Sequence, residues 1–209
     1  MTKKVNFRLV VITDRKKCKP KTLTEVVRNV CACGVKAIQL REKDLPAADL
    51  LLLSKHLRKL THKYHTKLII NDRLDIALLS DADGLHSPEN GILPKQAKQF
   101  NKNLITGKST HSLTSALEAE RNGYDYIIFG PVFRTQSKIK YGKPKGLKEL
   151  ERVCSSVKIP VFAVGGINPD RAKKCIEAGA QGAAVIGAVM KSENINKTVK
   201  EFKESMGSL

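Results

Sequence analysis

Three polar residues at the end of an early apolar run could bind a small anionic molecule. Gln39, Arg41 and Lys43 occupy alternate positions, and alternate side chains of an extended strand point to the same side. Two cations beside a carboxamide suit an anion attached to a ring that forms hydrogen bonds. The alternative is that the charged residues at 41–43 are only solvated at a strand end, and the rest of the sequence has to decide between these interpretations.

Two glycine-containing segments near the end of the sequence are suited to a phosphate group. One reads Val164-Gly165-Gly166-Ile167 and the other Ile186-Gly187-Ala188. Glycine lets backbone N–H groups approach an oxyanion closely. A single Gly-Gly pair is weak support, but two such segments after successive strands predict a phosphate site.

Asp72 is a candidate metal ligand because it follows Asn71 at the end of another apolar run. Mg²⁺ usually takes one or two protein carboxylates and completes its coordination with phosphate and water. The same aspartate could instead cap the next helix, and the sequence leaves both interpretations open.

A long polar segment, residues 131–144, contains Thr135, Ser137 and Lys138. Long loops in compact domains are usually lids or disordered insertions. Because Lys138 could close over a second anionic group, we expect a lid over a diphosphate.

These segments need a scaffold that brings them together, and the chain has a regular one. Short apolar runs alternate with longer amphipathic stretches, which indicates repeated βα units around a parallel sheet. We predict a single-domain α/β fold, a (β/α)8 TIM barrel over residues 1–209, with an open doubly wound sheet as the alternative. The predicted strands are Arg8–Thr13, Val35–Leu40, Lys67–Asn71, Gly84–His86, Leu104–Lys108, Tyr126–Gly130, Val161–Gly165 and Ala183–Gly187.

Helix boundaries are marked by residues with known capping preferences. Thr22 before Glu25 predicts a capping box, and Ser112 and Asn168 predict further helix starts. Three glycines fall just after helical patterns, where a left-handed residue ends a helix. They are Gly34, Gly123 and Gly179.

Composition limits the classes of partner. The formal charge of +18 comes from 38 Lys and Arg against 20 Asp and Glu, which suggests nucleic acid as a ligand. The lysines are scattered over helix faces and only 5% of residues are aromatic, so we favour a solvated surface and expect no nucleic-acid partner. The sequence leaves a homo-oligomer open.

The cysteines and the apolar segments point to a cytoplasmic protein. Five cysteines without C-x-x-C spacing fit a reducing compartment better than a zinc site or a disulfide framework. The beginning of the chain lacks the apolar core of a signal peptide, and no apolar run has membrane-spanning length. We therefore expect no membrane association.

Taken in order along the chain, the polar motifs resemble those of the thiamine phosphate synthase family and its relative, the thiazole tautomerase. The resemblance extends from Val10 to about Met190. The motifs are Gln39-Leu40-Arg41-Glu42-Lys43, Asn71-Asp72, Ser109-Thr110-His111, Gly130-Pro131-Val132-Phe133, Thr135-Gln136-Ser137-Lys138 and Ala163-Val164-Gly165-Gly166-Ile167.

The resemblance implies a reaction that joins hydroxymethylpyrimidine diphosphate to a thiazole phosphate, with release of diphosphate. It implies that Gln39 and Ser109 contact the pyrimidine and that Mg²⁺ is bound by Asp72. It assigns the diphosphate to Arg41, Lys43, Asn71 and Lys138, and the thiazole phosphate to Thr135 and Ser137 with the backbone of Gly166, Ile186 and Gly187. We take Arg41, Lys43 and Lys138 as catalytic, and we include Leu40, Glu42 and Gln136 as substrate-binding because they lie within the motifs.

Two positions depart from the synthase pattern. The segment His86–Pro94 is one residue longer than the synthase motif that supplies a second Mg²⁺-binding aspartate, and it resembles the tautomerase branch. Glu89 could replace that ligand, directly or through water. Gly187 stands where the family often has serine, which leaves backbone contacts intact.

The tautomerase remains an alternative function. That enzyme uses an acid–base histidine where this chain has Pro131, and it tends to lose the counterparts of Lys43 and Asp72, which are both present here. His86 or His111 could transfer a proton, although each suits a structural role at a strand end better. A non-catalytic barrel that binds a phosphorylated ligand is the third interpretation.

Overall fold

The chain forms a closed barrel of eight parallel strands, each hydrogen-bonded to the next and the eighth to the first. The structure is a computed structural model that describes residues 5–135 and 143–207. The predicted barrel is thereby confirmed over the open doubly wound sheet. The strands are β1 Leu9–Ile12, β2 Ala37–Leu40, β3 Lys67–Asn71, β4 Gly84–Ser87, β5 Ile105–Thr110, β6 Tyr126–Phe129, β7 Val161–Val164 and β8 Gly182–Val185.

Helices follow the strands and cover the outside of the barrel. A short 3₁₀ helix, Arg15–Lys17, lies in the β1 loop. The α-helices are α1 Leu23–Ala32, α2 Ala47–Lys63, α3 Leu74–Leu79, α4 Pro94–Ala97, α5 Leu113–Arg121, α6 Gly146–Ser156, α7 Pro169–Glu177, α8 Gly187–Met190 and α9 Ile195–Met206. Within the described ranges, none of the helices is long and apolar enough to cross a membrane.

Strand residues alternate between two apolar clusters, as the two-residue period of a strand requires. Val10 and Ile12 belong to the cluster inside the barrel, whereas Leu9 and Val11 belong to the larger cluster between strands and helices. The same alternation continues around the barrel. It decides which polar side chains can reach the interior.

Aromatic residues fill the amino-terminal half of the barrel interior. Phe7 lies with its ring centroid 5.2 Å from that of Phe162 and 5.9 Å from that of Tyr126. All three side chains are buried. Because this end is packed, the cavity is left at the carboxyl ends of the strands, where such barrels hold their ligands.

The predicted helix boundaries are confirmed. Thr22 and Glu25 form the capping box of α1, and the side chains of Ser112 and Asn168 cap α5 and α7. Gly34, Gly123 and Gly179 have φ values of +73°, +77° and +88°, which favour glycine.

Candidate functional site

A cavity of about 940 Å³ opens at the carboxyl ends of the strands. Residues from the strand ends and the loops after β1 to β8 line it, as expected for this fold. Of the residues predicted from the sequence, those lining the cavity are Gln39, Arg41, Lys43, Asn71, Glu89, Ser109, Thr135, Gly166, Ile186 and Gly187.

The end of β2 is held so that its alternate side chains face the cavity. The N–H of Thr13 donates to the carbonyl of Gln39 at 2.9 Å, and the N–H of Arg41 donates to Oγ1 of Thr13 at 2.9 Å. The Gln39 side chain is buried, and its Nε2 donates to Oδ1 of Asn71 at 3.4 Å. These hydrogen bonds orient the side chains of Gln39 on β2 and Asn71 on β3 toward the same cavity.

Two residues of the same motif do not line the cavity, which corrects the prediction that the whole segment binds substrate. Leu40 is 1% exposed and packs in the outer apolar cluster, because its position alternates with that of Gln39 and Arg41. Glu42 is 5% exposed and accepts hydrogen bonds from Arg15. Glu42 therefore joins the loops after β1 and β2.

His86 and Ser109 lie side by side in the barrel, near the carboxyl ends of β4 and β5. Nε2 of His86 is 2.9 Å from Oγ of Ser109, and Nδ1 is 3.1 Å from the hydroxyl of Tyr126. His111 also lines the cavity, and its Nδ1 contacts the carbonyl of Gly130. Both histidines thus have ordered ring contacts at strand ends.

The loops after β7 and β8 offer backbone groups to the cavity. Gly165 and Gly166 have φ values of +100° and +65°. A Cβ on Gly166 would lie 2.6 Å from the carbonyl oxygen of Arg134, whereas a Cβ on Gly187 would meet no atom within 4 Å. The cavity is therefore open at Gly187, whereas Gly166 is closely bordered by the backbone of the β6 loop, so a side chain would fit poorly there.

The loop after β6 is attached to the β7 loop. The N–H of Phe133 donates to the carbonyl of Gly165 at 3.1 Å. The Arg171 guanidinium donates to the carbonyl of Gly166 at 2.7 Å and lies 4.9 Å from the centre of the Phe133 ring. Thr135 lines the cavity, whereas Gln136, Ser137 and Lys138 lie outside the described residues.

The two carboxylates predicted to bind a metal follow neighbouring strands. The N–H of Asp72 donates to the carbonyl of His86 at 2.9 Å. Glu89 lines the cavity and Asp72 does not, and both side chains are exposed. The helix-capping alternative for Asp72 is wrong, because Arg73 is the N-cap residue of α3.

The donor set is suited to some metals and not to others. Within residues 5–135 and 143–207, no group of three or more His, Cys, Asp or Glu side chains could hold a metal ion. A structural metal needs such a group, whereas Mg²⁺ needs only one or two carboxylates together with phosphate and water. Of the two predicted carboxylates Glu89 lines the cavity, and one carboxylate is enough for a magnesium ion that binds together with a phosphorylated ligand.

Three charged residues that line the cavity were not predicted from the sequence. Asp14 and Lys17 follow β1 and form an ion pair, and Lys191 follows α8. Asp14 comes two residues after the end of β1, so the rule that functional residues follow strands would have found it. Lys191 comes after a helix, where that rule gives no signal.

Known proteins that are similar in sequence to this chain belong to one family. The sequence profile of a family described as thiamine monophosphate synthase matches residues 9–189. Thiamine-phosphate synthase from Pyrococcus furiosus is 41% identical over 198 residues, 95% of this chain and 94% of that protein. Thiamine-phosphate synthase from Moorella thermoacetica is 42% identical over 181 residues, 86% of each chain.

Solved structures agree with these relatives. Thiamine phosphate pyrophosphorylase from Pyrococcus furiosus superposes with a TM-score of 0.86 at 40% identity, over 96% of this chain and 95% of that one. A 3-hexulose-6-phosphate synthase superposes with a TM-score of 0.71 at 17% identity, which reflects the shared barrel fold alone. With a profile match over most of its length and relatives above 40% identity, the chain belongs to the thiamine monophosphate synthase family.

Proposed function

We propose that this protein joins hydroxymethylpyrimidine diphosphate to a thiazole phosphate and releases thiamine phosphate and diphosphate. The observation that supports this most is that one cavity is lined by two regions suited to anions. Arg41 and Lys43 border it after β2, and glycine-containing loops border it after β7 and β8. A reaction between two phosphorylated molecules needs both regions in one space.

We place the diphosphate beside Arg41 and Lys43, the two cations that follow β2. Arg41 offers a fork of N–H donors and Lys43 a point charge, and both suit phosphate oxygens. Asn71 adds a carboxamide from β3. Lys138, which lies outside the described residues, is proposed from the family resemblance as a further cation on the leaving group.

We place the thiazole phosphate at the loops that follow β7 and β8. Backbone N–H groups at Gly166, Ile186 and Gly187 would hold its phosphate, because glycine permits close approach to the oxyanion. Thr135 contributes a hydroxyl from the β6 loop. Gln136 and Ser137 are proposed from the family motif alone and lie outside the described residues.

Mg²⁺ is the cofactor that we propose, held by Asp72 and Glu89 after β3 and β4. When bound, it would neutralise negative charge on the diphosphate. This chain's own residues do the remaining work. Gln39 and Ser109 hold the pyrimidine ring inside the barrel mouth, and Arg41 and Lys43 orient the diphosphate.

The chemical step is an alkylation of the thiazole nitrogen. The C–O bond between the pyrimidine methylene and the diphosphate breaks, and the electron pair leaves with the diphosphate. The lone pair of the thiazole nitrogen then forms the new C–N bond. The protein contributes mainly by holding the two rings face to face and by stabilising the departing charge with fixed cations.

A steady-state assay with omission controls tests this function. The purified protein, both phosphorylated substrates and Mg²⁺ should give thiamine phosphate, and leaving out either substrate should abolish product. If the protein instead isomerised the thiazole phosphate alone, the tautomerase would replace this proposal. Binding of either ligand without turnover at saturating substrate would favour the non-catalytic barrel.

A further inference from the structure

His86 is a buried residue to which neither the resemblance nor the proposed chemistry gives a role. It is 1% exposed, and its two ring nitrogens contact different hydroxyls. Nδ1 is 3.1 Å from the Tyr126 hydroxyl and Nε2 is 2.9 Å from Oγ of Ser109. The three side chains therefore form a continuous hydrogen-bonded chain from the barrel interior to the cavity wall.

The inner end of this chain is a phenol without access to water. Tyr126 is 0% exposed and packs edge-on against the rings of Phe7 and Phe162. Burial raises the pKa of the Tyr126 hydroxyl, so the phenol keeps its proton. Gly107 is paired with Tyr126 on the neighbouring strand β5. A Cβ there would lie 2.1 Å from Cζ of Tyr126, so the ring occupies the space that a side chain at residue 107 would need.

The phenol's proton sets the direction of the other bonds. Leaving a buried donor without an acceptor is unfavourable, and the hydrogen bond described for this hydroxyl is the one to His86. If Tyr126 donates to Nδ1, that nitrogen is the acceptor of a neutral imidazole and the ring proton is on Nε2. Nε2–H then donates to Ser109.

Ser109 completes the chain at the cavity. A hydroxyl that accepts a hydrogen bond from Nε2–H still has its own proton to donate. Ser109 lines the cavity, so that proton is available to a ligand. A ring nitrogen with a free lone pair would accept it, whereas a C–H at the same place would not.

We propose that Tyr126 and His86 are positioning residues that fix Ser109 as a hydrogen-bond donor, and that this donor selects a ligand ring with an acceptor nitrogen. The identification of that ring as the pyrimidine rests on the proposed function. The direction of the hydrogen bonds does not, because it depends on the protein alone.

The tautomer of His86 can be measured without substrate. ¹⁵N NMR of histidine-labelled protein, with His86 assigned through His86→Gln, should show a protonated Nε2 and an unprotonated Nδ1. Tyr126→Phe removes the hydroxyl with little change in shape, and it should shift the His86 signals toward a mixture of tautomers. A wild-type protein with its proton on Nδ1 would overturn the proposal.

Kinetics test the consequence at Ser109. Tyr126→Phe should raise KM for the pyrimidine diphosphate at least tenfold and leave KM for the thiazole phosphate unchanged. His86→Gln, which retains a donor near the Nε2 position, should restore most of the affinity lost in His86→Leu. A pyrimidine analogue with C–H in place of the acceptor nitrogen should be rejected by the wild type and discriminated less by Tyr126→Phe.

The outcomes separate the two proposals. Equal KM values in wild type and Tyr126→Phe, with unchanged thermal unfolding, would overturn the positioning role while the synthase activity stands. A wild-type protein that makes no thiamine phosphate would overturn the proposed function, and the NMR result would still decide the tautomer.

Discussion

The carboxylate of Glu42 accepts hydrogen bonds from the backbone N–H of Arg15 at 3.1 and 3.2 Å and from its guanidinium at 3.1 Å. Glu42 lies between two proposed anion-binding residues, Arg41 and Lys43. The buried carboxylate thus fixes the β1 loop against the segment that supplies the cations. We conclude that Glu42 acts by holding this segment in place.

Glu42→Gln should therefore destabilise the protein by about 1–3 kcal/mol, because a buried hydrogen-bonded charge is replaced by a neutral amide. Urea denaturation measures the change. The matched control is Asp44→Asn, whose carboxylate also binds Arg15 but is largely exposed. It should lose less stability, since exposed ion pairs contribute little. Equal losses in the two variants would contradict the holding role.

Arg41→Ala should lower kcat/KM for the pyrimidine diphosphate by at least about 100-fold, or about 2.7 kcal/mol. The reason is that a cation lining the cavity would no longer stabilise the leaving diphosphate. Lys55→Ala on the exposed face of α2 removes the same charge away from the cavity and should leave kcat/KM unchanged. If both variants fell by the same factor, the effect would come from net charge alone.

Gly166→Ala should weaken binding of the thiazole phosphate. A methyl group there would meet the Arg134 carbonyl at 2.6 Å, at a φ of +65°. Gly123→Ala is the control, because its φ is +77° and its added Cβ meets no atom within 4 Å. Both should lose about 1–2 kcal/mol of stability through backbone strain, and Gly166→Ala should lose more because its methyl group also meets the Arg134 carbonyl. In steady-state kinetics only Gly166→Ala should raise KM for the thiazole phosphate, and an equal rise in both would refute the site.

The magnesium ligands can be tested through the Mg²⁺ concentration that gives half-maximal rate. Asp72→Asn and Glu89→Gln should each raise it at least about tenfold, since loss of an outer-shell partner alone costs about 10–100-fold. Asp81→Asn is the control, as Asp81 is also exposed and also has a positive φ, +52° against +67° for Asp72. Should Glu89→Gln leave the requirement unaltered, Glu89 is not a ligand. Calorimetric titration of Mg²⁺ in the presence of diphosphate gives a readout independent of turnover.

Stability should fall in alkaline solution because of buried thiols. Burial raises the pKa of Cys175 from 9.0 to about 12, so the thiol ionises in the unfolded chain first. Between about pH 9 and pH 12, ionisation of this thiol therefore lowers the free energy of unfolding by about 1.4 kcal/mol per pH unit. Urea denaturation at pH 7.5 and 10.5 should therefore show a smaller loss in Cys175→Ala than in the wild type. Identical losses would mean that Cys175 does not contribute.

The sequence predicted the site best where strand geometry alone decides. Gln39 lies on β2 and faces the cavity, as the alternation of an extended strand requires. Arg41 and Lys43 line the same cavity from the loop that follows β2. The same geometry excludes Leu40, which the motif had included as a unit. The assumption that every residue of a motif contacts the ligand thus conflicts with the two-residue period of a strand, in which alternate side chains point away from the cavity.

Other features depend on contacts between distant segments. Strand β5 continues to Thr110, two residues beyond the predicted end, and this places Ser109 on the strand beside His86. The attachment of Glu42 to Arg15 likewise joins residues of two different loops, and no periodicity in the sequence reveals that contact. That residues 1–209 form one domain, and that the protein is cytoplasmic, stay predictions.

In the proposed reaction, hydroxymethylpyrimidine diphosphate and a thiazole phosphate are joined in one cavity. The most direct test measures both products in the same reaction, with hydroxymethylpyrimidine diphosphate, thiazole phosphate and Mg²⁺ present. Thiamine phosphate and diphosphate should appear in equal amounts and at equal rates. Diphosphate released without thiamine phosphate, or no release of either, would contradict the account.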